Sequence, residues 1–219
     1  MGRPRTYDEA LREQLIVRAS DMMSKDGYHG VSLRVLTRDV GTSTNAVYTL
    51  FGSKEALMAE AVLLHLDSLI GQEGMPPETD NPEEDLLKVA GLYRDFAVGD
   101  PNSFDAAFEA LKETKKPGSL TDRVNPGIRE LNVKLFGPIH AVCKRIAEAN
   151  PGTDLDPQRM AVAVWALIHG YSALEISGAF PPSPSDDEEI FREAVHSMYL
   201  GWLAKDVEQL HEDFEDEDV

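Results

Sequence analysis

Apolar residues recur along this chain at helical spacing, and clusters of glycine and proline separate the segments that carry them. No strong alternation of apolar and polar residues, the pattern typical of strands, appears. The periodicity therefore predicts an all-α fold of about nine helices. The predicted helices span about 7–26, 32–40, 43–50, 53–71, 82–98, 101 to the break at 115–127, 128–149, 157–178, and from a Ser185 cap to 210.

Residues at the predicted helix ends support these boundaries. Asn81-Pro82 and Asp156-Pro157 each combine a capping side chain with proline in the first turn, where proline is tolerated. Ser53 is the predicted cap of the fourth helix. Gly137-Pro138 falls inside the seventh helix and predicts a kink there, because proline removes one helical hydrogen bond.

The eighth predicted helix is unusually apolar, with Glu175 as its one formal charge between residues 160 and 180. A membrane span is one interpretation, but His169 and several glycines and serines interrupt the run. A helix that is apolar all round is otherwise buried on all sides. The ninth predicted helix has apolar residues on two sides, which suggests packing against a second copy of the chain. The predicted interface consists of Trp165, Ile168, Ser172, Ile190, Ala194, Met198 and Trp202.

Composition narrows the class of protein. A length of 219 residues fits one or two domains. Cys143 is the only cysteine, which excludes a disulfide framework and suits a reducing cytoplasm. That residue is interpreted as a buried small side chain, with a redox sensor as the alternative. The first residues contain no apolar run, so we expect no signal peptide.

The net charge of −18 is distributed unevenly. Residues 1–60 carry eight basic and eight acidic side chains, so the whole excess of negative charge lies beyond them. A polyanion such as nucleic acid would be repelled by the body of the chain and tolerated only at the N-terminal end.

The stretch STNAVYTLFGSKEAL, residues 43–57, combines a short helix with small polar side chains. With the two helices before it, it forms a predicted helix-turn-helix unit, whose recognition helix enters the major groove by its N-terminal residues. Asn, Ser, Thr and Ala side chains fit that groove and contact base edges, while free helix N–H groups and Lys or Arg bind phosphates. The predicted DNA-binding residues are Arg3, Arg5, Ser32, Arg34, Ser43, Thr44, Asn45, Ala46, Tyr48, Thr49 and Lys54.

Other functions have weaker signals. Any three-helix corner needs caps and glycine stops, so a protein-interaction or ligand-binding module without DNA binding is the alternative. An enzyme is disfavoured, since GYSAL at residues 170–174 lacks the second glycine of a nucleophile elbow and lies within a helix. Glu208 and His211 have helical metal spacing but lie near the end of the chain. We therefore expect no catalytic residue, no metal site and no cofactor.

The segment Gly30–Leu57, GVSLRVLTRDVGTSTNAVYTLFGSKEAL, resembles the DNA-binding motif of the TetR family of bacterial transcriptional regulators. The pattern is long and specific. Thr37, Thr42, Asn45 and Leu50 depart from it, where the family commonly has alanine, valine, glycine and histidine. The departure at Asn45 is expected to change base preference.

Two later stretches, residues 93–109 and Trp165-x-x-x-His169-Gly170, are similar to the family's C-terminal domain of the Trp-His-Gly type. The resemblance implies a DNA-binding domain at 1–52, a connecting helix at 53–71, and an effector-binding and dimerisation domain at 72–219. It also implies a homodimeric repressor, held together by its last two long helices, that leaves its operator when an effector binds. We expect the operator to be palindromic, the protein to be cytoplasmic, and the effector to be small and apolar, since small-molecule pockets are mostly apolar. Candidate pocket residues, for each of which core packing is the alternative, are Tyr93, Phe96, Phe104, Phe108, Trp165 and His169.

Overall fold

A computed structural model describes residues 9–73, 78–112, 126–181 and 187–204, and these residues form nine α-helices and no strand. The all-α prediction is confirmed. The helices are α1 (Glu9–Gly30), α2 (Leu33–Val40), α3 (Thr44–Phe51), α4 (Lys54–Glu73), α5 (Pro82–Gly99), α6 (Pro101–Lys112), α7 (Pro126–Ala149), α8 (Pro157–Ile176) and α9 (Asp187–Leu203).

Most predicted boundaries agree with these within a few residues, and the larger differences have local causes. The first helix is interrupted near its predicted end by Gly27, whose φ of 71° suits glycine. Helical turns resume after Gly27 and continue to Gly30, so α1 is longer than predicted. The seventh helix runs through Pro138 to Ala149. The predicted Ser185 cap, most of the 115–127 break and the last predicted turns of the ninth helix lie outside the described residues.

The chain divides into two compact units, one formed by residues 1–75 with 99–135 and the other by residues 76–98 with 136–219. The first unit thus contains α6 and the beginning of α7 in addition to the four N-terminal helices. The predicted functional domains, 1–52 and 72–219 with 53–71 between them, remain predictions, since compactness alone does not assign function.

In the first unit, α1 packs against α2, α4 and α6, and α3 packs against α2 and α4. Leu15, Leu36, Val47 and Leu57 each have no exposed surface. Burying a side chain of this size contributes about 1.5–3 kcal/mol, so these apolar anchors fix the short helices α2 and α3 on the longer ones.

In the second unit, α8 packs against α9. Val164 and Ile168 of α8 are fully buried, whereas Val162 is 51% and Leu174 48% exposed. In the single chain the helix therefore has an outward face, and its burial against a second copy stays a prediction. None of the described helices has the length and apolarity that crossing a membrane requires.

Cys143 lies on α7 with no exposed surface. Burial raises the pKa of its thiol to about 12, because the interior disfavours the charged thiolate. This environment fits the interpretation of a small buried side chain rather than a redox sensor.

Candidate nucleic-acid interface

A glycine turn joins α2 to α3. Gly41 adopts a left-handed conformation with φ 77°, and its N–H donates to the Arg38 carbonyl at 3.1 Å. The next N–H, of Thr42, donates to the Thr37 carbonyl at 2.7 Å. These two bonds satisfy carbonyls at the end of α2. The turn then places α3 across α2, held by the buried side chains of Leu36 and Val47.

The side chain of Thr37 shows how the fold accommodates one departure from the family pattern. Thr37 is 3% exposed, and its hydroxyl donates to the Leu33 carbonyl at 2.7 Å within the same helix. Its polar group is therefore satisfied although it is buried, and threonine fits where the family commonly has alanine.

The outward face of α3 carries small polar residues and one tyrosine. Tyr48 is 54% exposed, and the residues around it that are also exposed are Ser43, Thr44, Asn45 and Thr49. The inward face carries Val47 and Phe51, which are at most 2% exposed. The helix α3 thus has an outward polar face and an inward apolar face, as predicted.

Ala46 is an exception among the predicted DNA-binding residues. Its exposed surface is 0%, so its methyl group packs in the core and does not reach a base. The prediction for Ala46 was wrong because the buried face of α3 is wide enough to include Ala46 together with the adjacent Val47, which also has no exposed surface.

The hydroxyls at the start of α2 and α3 do not cap their own helices. Ser32 and Ser43 both have extended backbones at the N-cap position without a side-chain capping bond. The first N–H groups of both helices and the two exposed hydroxyls could therefore donate hydrogen bonds to a phosphate.

Thr49 uses its hydroxyl differently. Its Oγ1 donates to the carbonyl of Asn45 at 2.9 Å. The hydroxyl oxygen can still accept a hydrogen bond, and its methyl group stays on the exposed face. Thr49 therefore suits contacts to base amino groups or to the methyl of thymine better than a bond to phosphate, which only accepts.

Lys54 is less available than predicted. Its Nζ donates to the Tyr28 carbonyl at 3.3 Å and lies 4.9 Å from the centre of the Tyr28 ring. Desolvation lowers the pKa of Lys54. The neighbouring Ser53 hydroxyl accepts from the N–H of Ala56 at 3.0 Å and so caps α4. A phosphate contact by Lys54 would use its remaining donors, and it stays a prediction.

Two exposed basic residues lie on α2. Arg34 is exposed, and so is Arg38, whose side chain is 74% exposed. Arg3 and Arg5, the predicted minor-groove arm, lie outside the described residues. The sequence analysis did not single out Asp39, whose carboxylate contacts both Arg38 and, from α1, Arg18. Residues 18 and 39 are distant in sequence, so no local spacing signals the contact.

Three of the predicted pocket residues meet in the second unit. The Tyr93 hydroxyl accepts from the Trp165 indole N–H at 3.1 Å and lies 3.3 Å from Nδ1 of His169. The Trp165 ring also packs 5.2 Å from that of Phe136. Tyr93 is 6% exposed, and its burial raises the pKa of the phenol.

The other pocket candidates are placed separately. Phe96 is 2% exposed and belongs to the second unit. Phe104 and Phe108 belong to the first unit, where their ring centres lie 5.1 Å apart. A pocket that combines all six residues remains a prediction.

The predicted dimer interface needs correction at two residues. Ile168 and Ser172 have no exposed surface, because they face the core of their own protomer. The Ser172 hydroxyl has no hydrogen-bond partner there. The other predicted interface residues keep partial exposure, and they are Trp165, Ile190, Ala194, Met198 and Trp202.

Among the described residues, no group of three or more His, Cys, Asp or Glu side chains is arranged to hold a metal ion. The pair Glu208 and His211 lies outside those residues.

Two family models match this sequence. Residues 15–61 match the model described as bacterial regulatory proteins, tetR family. Residues 86–198, just over half of the chain, match the model described as the tetracyclin repressor-like C-terminal domain. The first match covers α2, the glycine turn and α3, which are the elements that present the polar face.

Individual known proteins are also similar to this chain in sequence or in fold. An uncharacterized HTH-type transcriptional regulator, YobS of Bacillus subtilis, is 22% identical over 171 residues, which cover 78% of this chain and 82% of YobS. A protein of unknown function from Rhodococcus sp. RHA1 shares the fold with a TM-score of 0.64 at 22% identity, covering 92% of this chain and 99% of that one. FadR from Bacillus subtilis, solved in complex with stearoyl-CoA, has a TM-score of 0.57 at 16% identity, covering 85% and 96%.

Proposed function

The chain belongs to the TetR family of bacterial regulatory proteins, and from that premise we propose that it binds a palindromic operator as a homodimer and leaves the DNA when a small effector binds. The family consists of DNA-binding transcriptional regulators, so this protein is a regulator rather than an enzyme. The observation that carries the proposal is the exposed polar face of α3 above a buried apolar anchor.

Operator reading would use that face of α3. Asn45 and Thr44 are exposed and have side chains suited to base edges, and Tyr48, which is 54% exposed, would contribute its hydroxyl to a phosphate. Arg34 and Arg38 supply positive charge on the adjacent exposed face of α2. Because the family commonly has glycine at the position of Asn45, this side chain is the best candidate for the operator preference of this protein.

A homodimer would present two such faces to the two half-sites of a palindrome. The exposed apolar residues of α8 and α9 support an interface there. Val162 and Leu174 on α8 and Leu200 on α9 are each about half exposed, and their burial by a partner would stabilise a dimer. These residues replace Ile168 and Ser172 in the proposed interface.

The effector would bind in the C-terminal domain, which we assign to the Trp-His-Gly type. Tyr93, Trp165 and His169 form a hydrogen-bonded group, and the Phe136 ring packs against that of Trp165. Small-molecule sites typically combine a few polar groups with aromatic side chains. FadR of Bacillus subtilis binds stearoyl-CoA, and this makes long-chain acyl-CoA and fatty acids the first compounds to screen. Binding to the folded state would raise the melting temperature.

Repression is the proposed outcome, because a dimer on an operator next to its own gene would compete with transcription. The protein would act in the cytoplasm, where the DNA lies.

The test is a gel-shift titration with the region upstream of its own gene and with a duplex that the protein selects from a random pool. We expect preference over scrambled duplex and a steep loss of affinity as salt rises. Equal binding to scrambled duplex would refute sequence-specific recognition.

A further inference from the structure

A chain of three charged side chains links α1 to the exposed face of α2. The Asp39 Oδ2 accepts from Arg18 twice, at 2.8 Å from Nη2 and 3.2 Å from Nε. The other carboxylate oxygen, Oδ1, accepts from Arg38 Nη2 at 3.2 Å. One carboxylate thus holds one arginine on each of its two oxygens.

The helix geometry of α2 gives these residues different roles. Arg34 and Arg38 are four positions apart and share one exposed face. Leu36 and Thr37 lie on the opposite face and are buried. Asp39 lies between those two faces, on the flank that meets α1.

The two arginines differ in how many of their hydrogen-bond donors remain available. Arg18 spends two donors on Asp39, and its side chain is 38% exposed. Arg38 spends one donor on Asp39 and stays 74% exposed, so most of its guanidinium donors remain available. Arg18 therefore anchors the carboxylate, and the carboxylate restrains Arg38.

Restraining an arginine matters for binding a phosphate. A long side chain that is already held near its bound geometry loses less conformational freedom on binding. The hydrogen bond from Arg18 lowers the pKa of Asp39, so the carboxylate is ionised at neutral pH and holds both arginines.

We propose that Asp39 is a positioning residue for operator binding, anchored to α1 by Arg18 and orienting Arg38 toward the DNA backbone. This inference rests on the proposed function. It makes a prediction opposite to that of simple electrostatics, in which an acidic residue beside DNA weakens binding and its neutralisation strengthens it.

The test compares Asp39→Asn with Asp21→Asn. Asp21 lies on α1 and lines the same groove between α1 and α2, so both changes remove one negative charge from one surface. The probe is the duplex selected by the wild-type protein from a random pool. We expect Asp39→Asn to weaken binding about three- to tenfold and Asp21→Asn to leave it equal or tighter. Binding by Asp39→Asn as tight as by Asp21→Asn would overturn the inference.

A double-mutant cycle with Arg38→Ala separates positioning from a structural role. If Asp39 acts through Arg38, Asp39→Asn has no further effect in the Arg38→Ala background. An equal loss in both backgrounds would show that Asp39 does not act through Arg38, and a lower melting temperature that accounts for the loss would show that it acts on the fold; either result overturns the inference. Arg18→Lys keeps the charge but cannot reproduce the two contacts, and we expect a loss in the same direction.

The same titrations distinguish this inference from the proposed function. Wild-type protein that fails to prefer the selected duplex over a scrambled one would refute specific DNA binding itself. Specific wild-type binding with no difference between the two Asn variants would refute only the role of Asp39.

Discussion

The Arg94 guanidinium and the Glu175 carboxylate form a two-point ion pair between α5 and α8, with Nε 2.8 Å from Oε2 and Nη2 bonded to Oε1. Each side chain is 13% exposed, and the guanidinium lies 5.7 Å from the centre of the Phe191 ring on α9. Three helices of the second unit thus meet at one largely desolvated pair of charges. In such a place each charge depends on the other for stabilisation.

Removing one partner of this pair should destabilise the protein. We expect Glu175→Ala to lower the free energy of unfolding by roughly 2–4 kcal/mol, somewhat below the range for fully buried pairs because both side chains keep some exposure. Denaturant titration measures the change. A double variant, Arg94→Met with Glu175→Leu, should recover much of the loss, since it leaves no unpaired charge.

The control for that variant is Glu84→Ala. Glu84 pairs with Lys88 within α5, and these side chains are 43% and 41% exposed. An exposed pair of this type contributes a few tenths of a kcal/mol, so the stability should hardly change. A similar loss for both variants would mean that burial does not determine the contribution of the Arg94–Glu175 pair.

Local signals in the sequence predicted most helix boundaries, because caps and turns depend on neighbouring residues. Gly41 and Gly52 end α2 and α3 with positive φ, and Asp156 caps α8 by accepting from the N–H groups of Gln158 and Arg159. Each of these roles requires only a few adjacent residues. The sequence was therefore sufficient to place the helix-turn-helix elements.

Contacts between distant residues could not be predicted in this way. The bonds from Arg18 to Asp39 and from Arg94 to Glu175 join separate helices, and a single sequence has no signal for them. The orientation of the apolar α8 was also ambiguous. With apolar residues on all sides, periodicity could not indicate that Ile168 faces inward and Val162 outward.

Ala46 provides a test of which face of α3 is core. Because Ala46 has no exposed surface, Ala46→Leu should overpack the contact between α3 and its neighbours and cost about 1–3 kcal/mol in thermal or denaturant unfolding. Thr44→Leu adds a leucine to the exposed side of the same helix, where the change should stay within about 0.5 kcal/mol. Equal stability of the two variants would place Ala46 on the surface.

Asn45 is expected to read a base rather than the DNA backbone. Asn45→Ala should relax preference at one base pair per half-site, with about 1–3 kcal/mol of discrimination lost there. Affinities for a set of operators with single base changes measure this. Arg34→Ala serves as the contrast, since loss of a phosphate contact should weaken all operators alike and reduce the salt slope by about one. A uniform loss for Asn45→Ala would make it a backbone contact.

Cys143 should react slowly with thiol reagents in the folded protein. With the pKa of its thiol raised to about 12, roughly one molecule in ten thousand carries a thiolate at pH 8, compared with about a quarter for an ordinary cysteine. Because the thiol has no exposed surface, reagents should reach it mainly through opening of the fold, and the labelling rate in native buffer should stay far below that of the denatured protein. Denatured protein is the control and should label rapidly at pH 8. Fast native labelling would mean that the thiol is accessible.

The outward apolar residues of α8 and α9 should hold the dimer together. Leu200→Glu and Val162→Glu replace side chains that are each 51% exposed in the single chain, and a dimer would bury two new carboxylates at its interface without partners. Sedimentation velocity over a range of concentrations should show a shift toward monomer for both variants. Val133→Glu is the matched control, because Val133 is 62% exposed on α7, and its oligomeric state should equal that of the wild type. A dimer that persists in both test variants would place the interface on another surface.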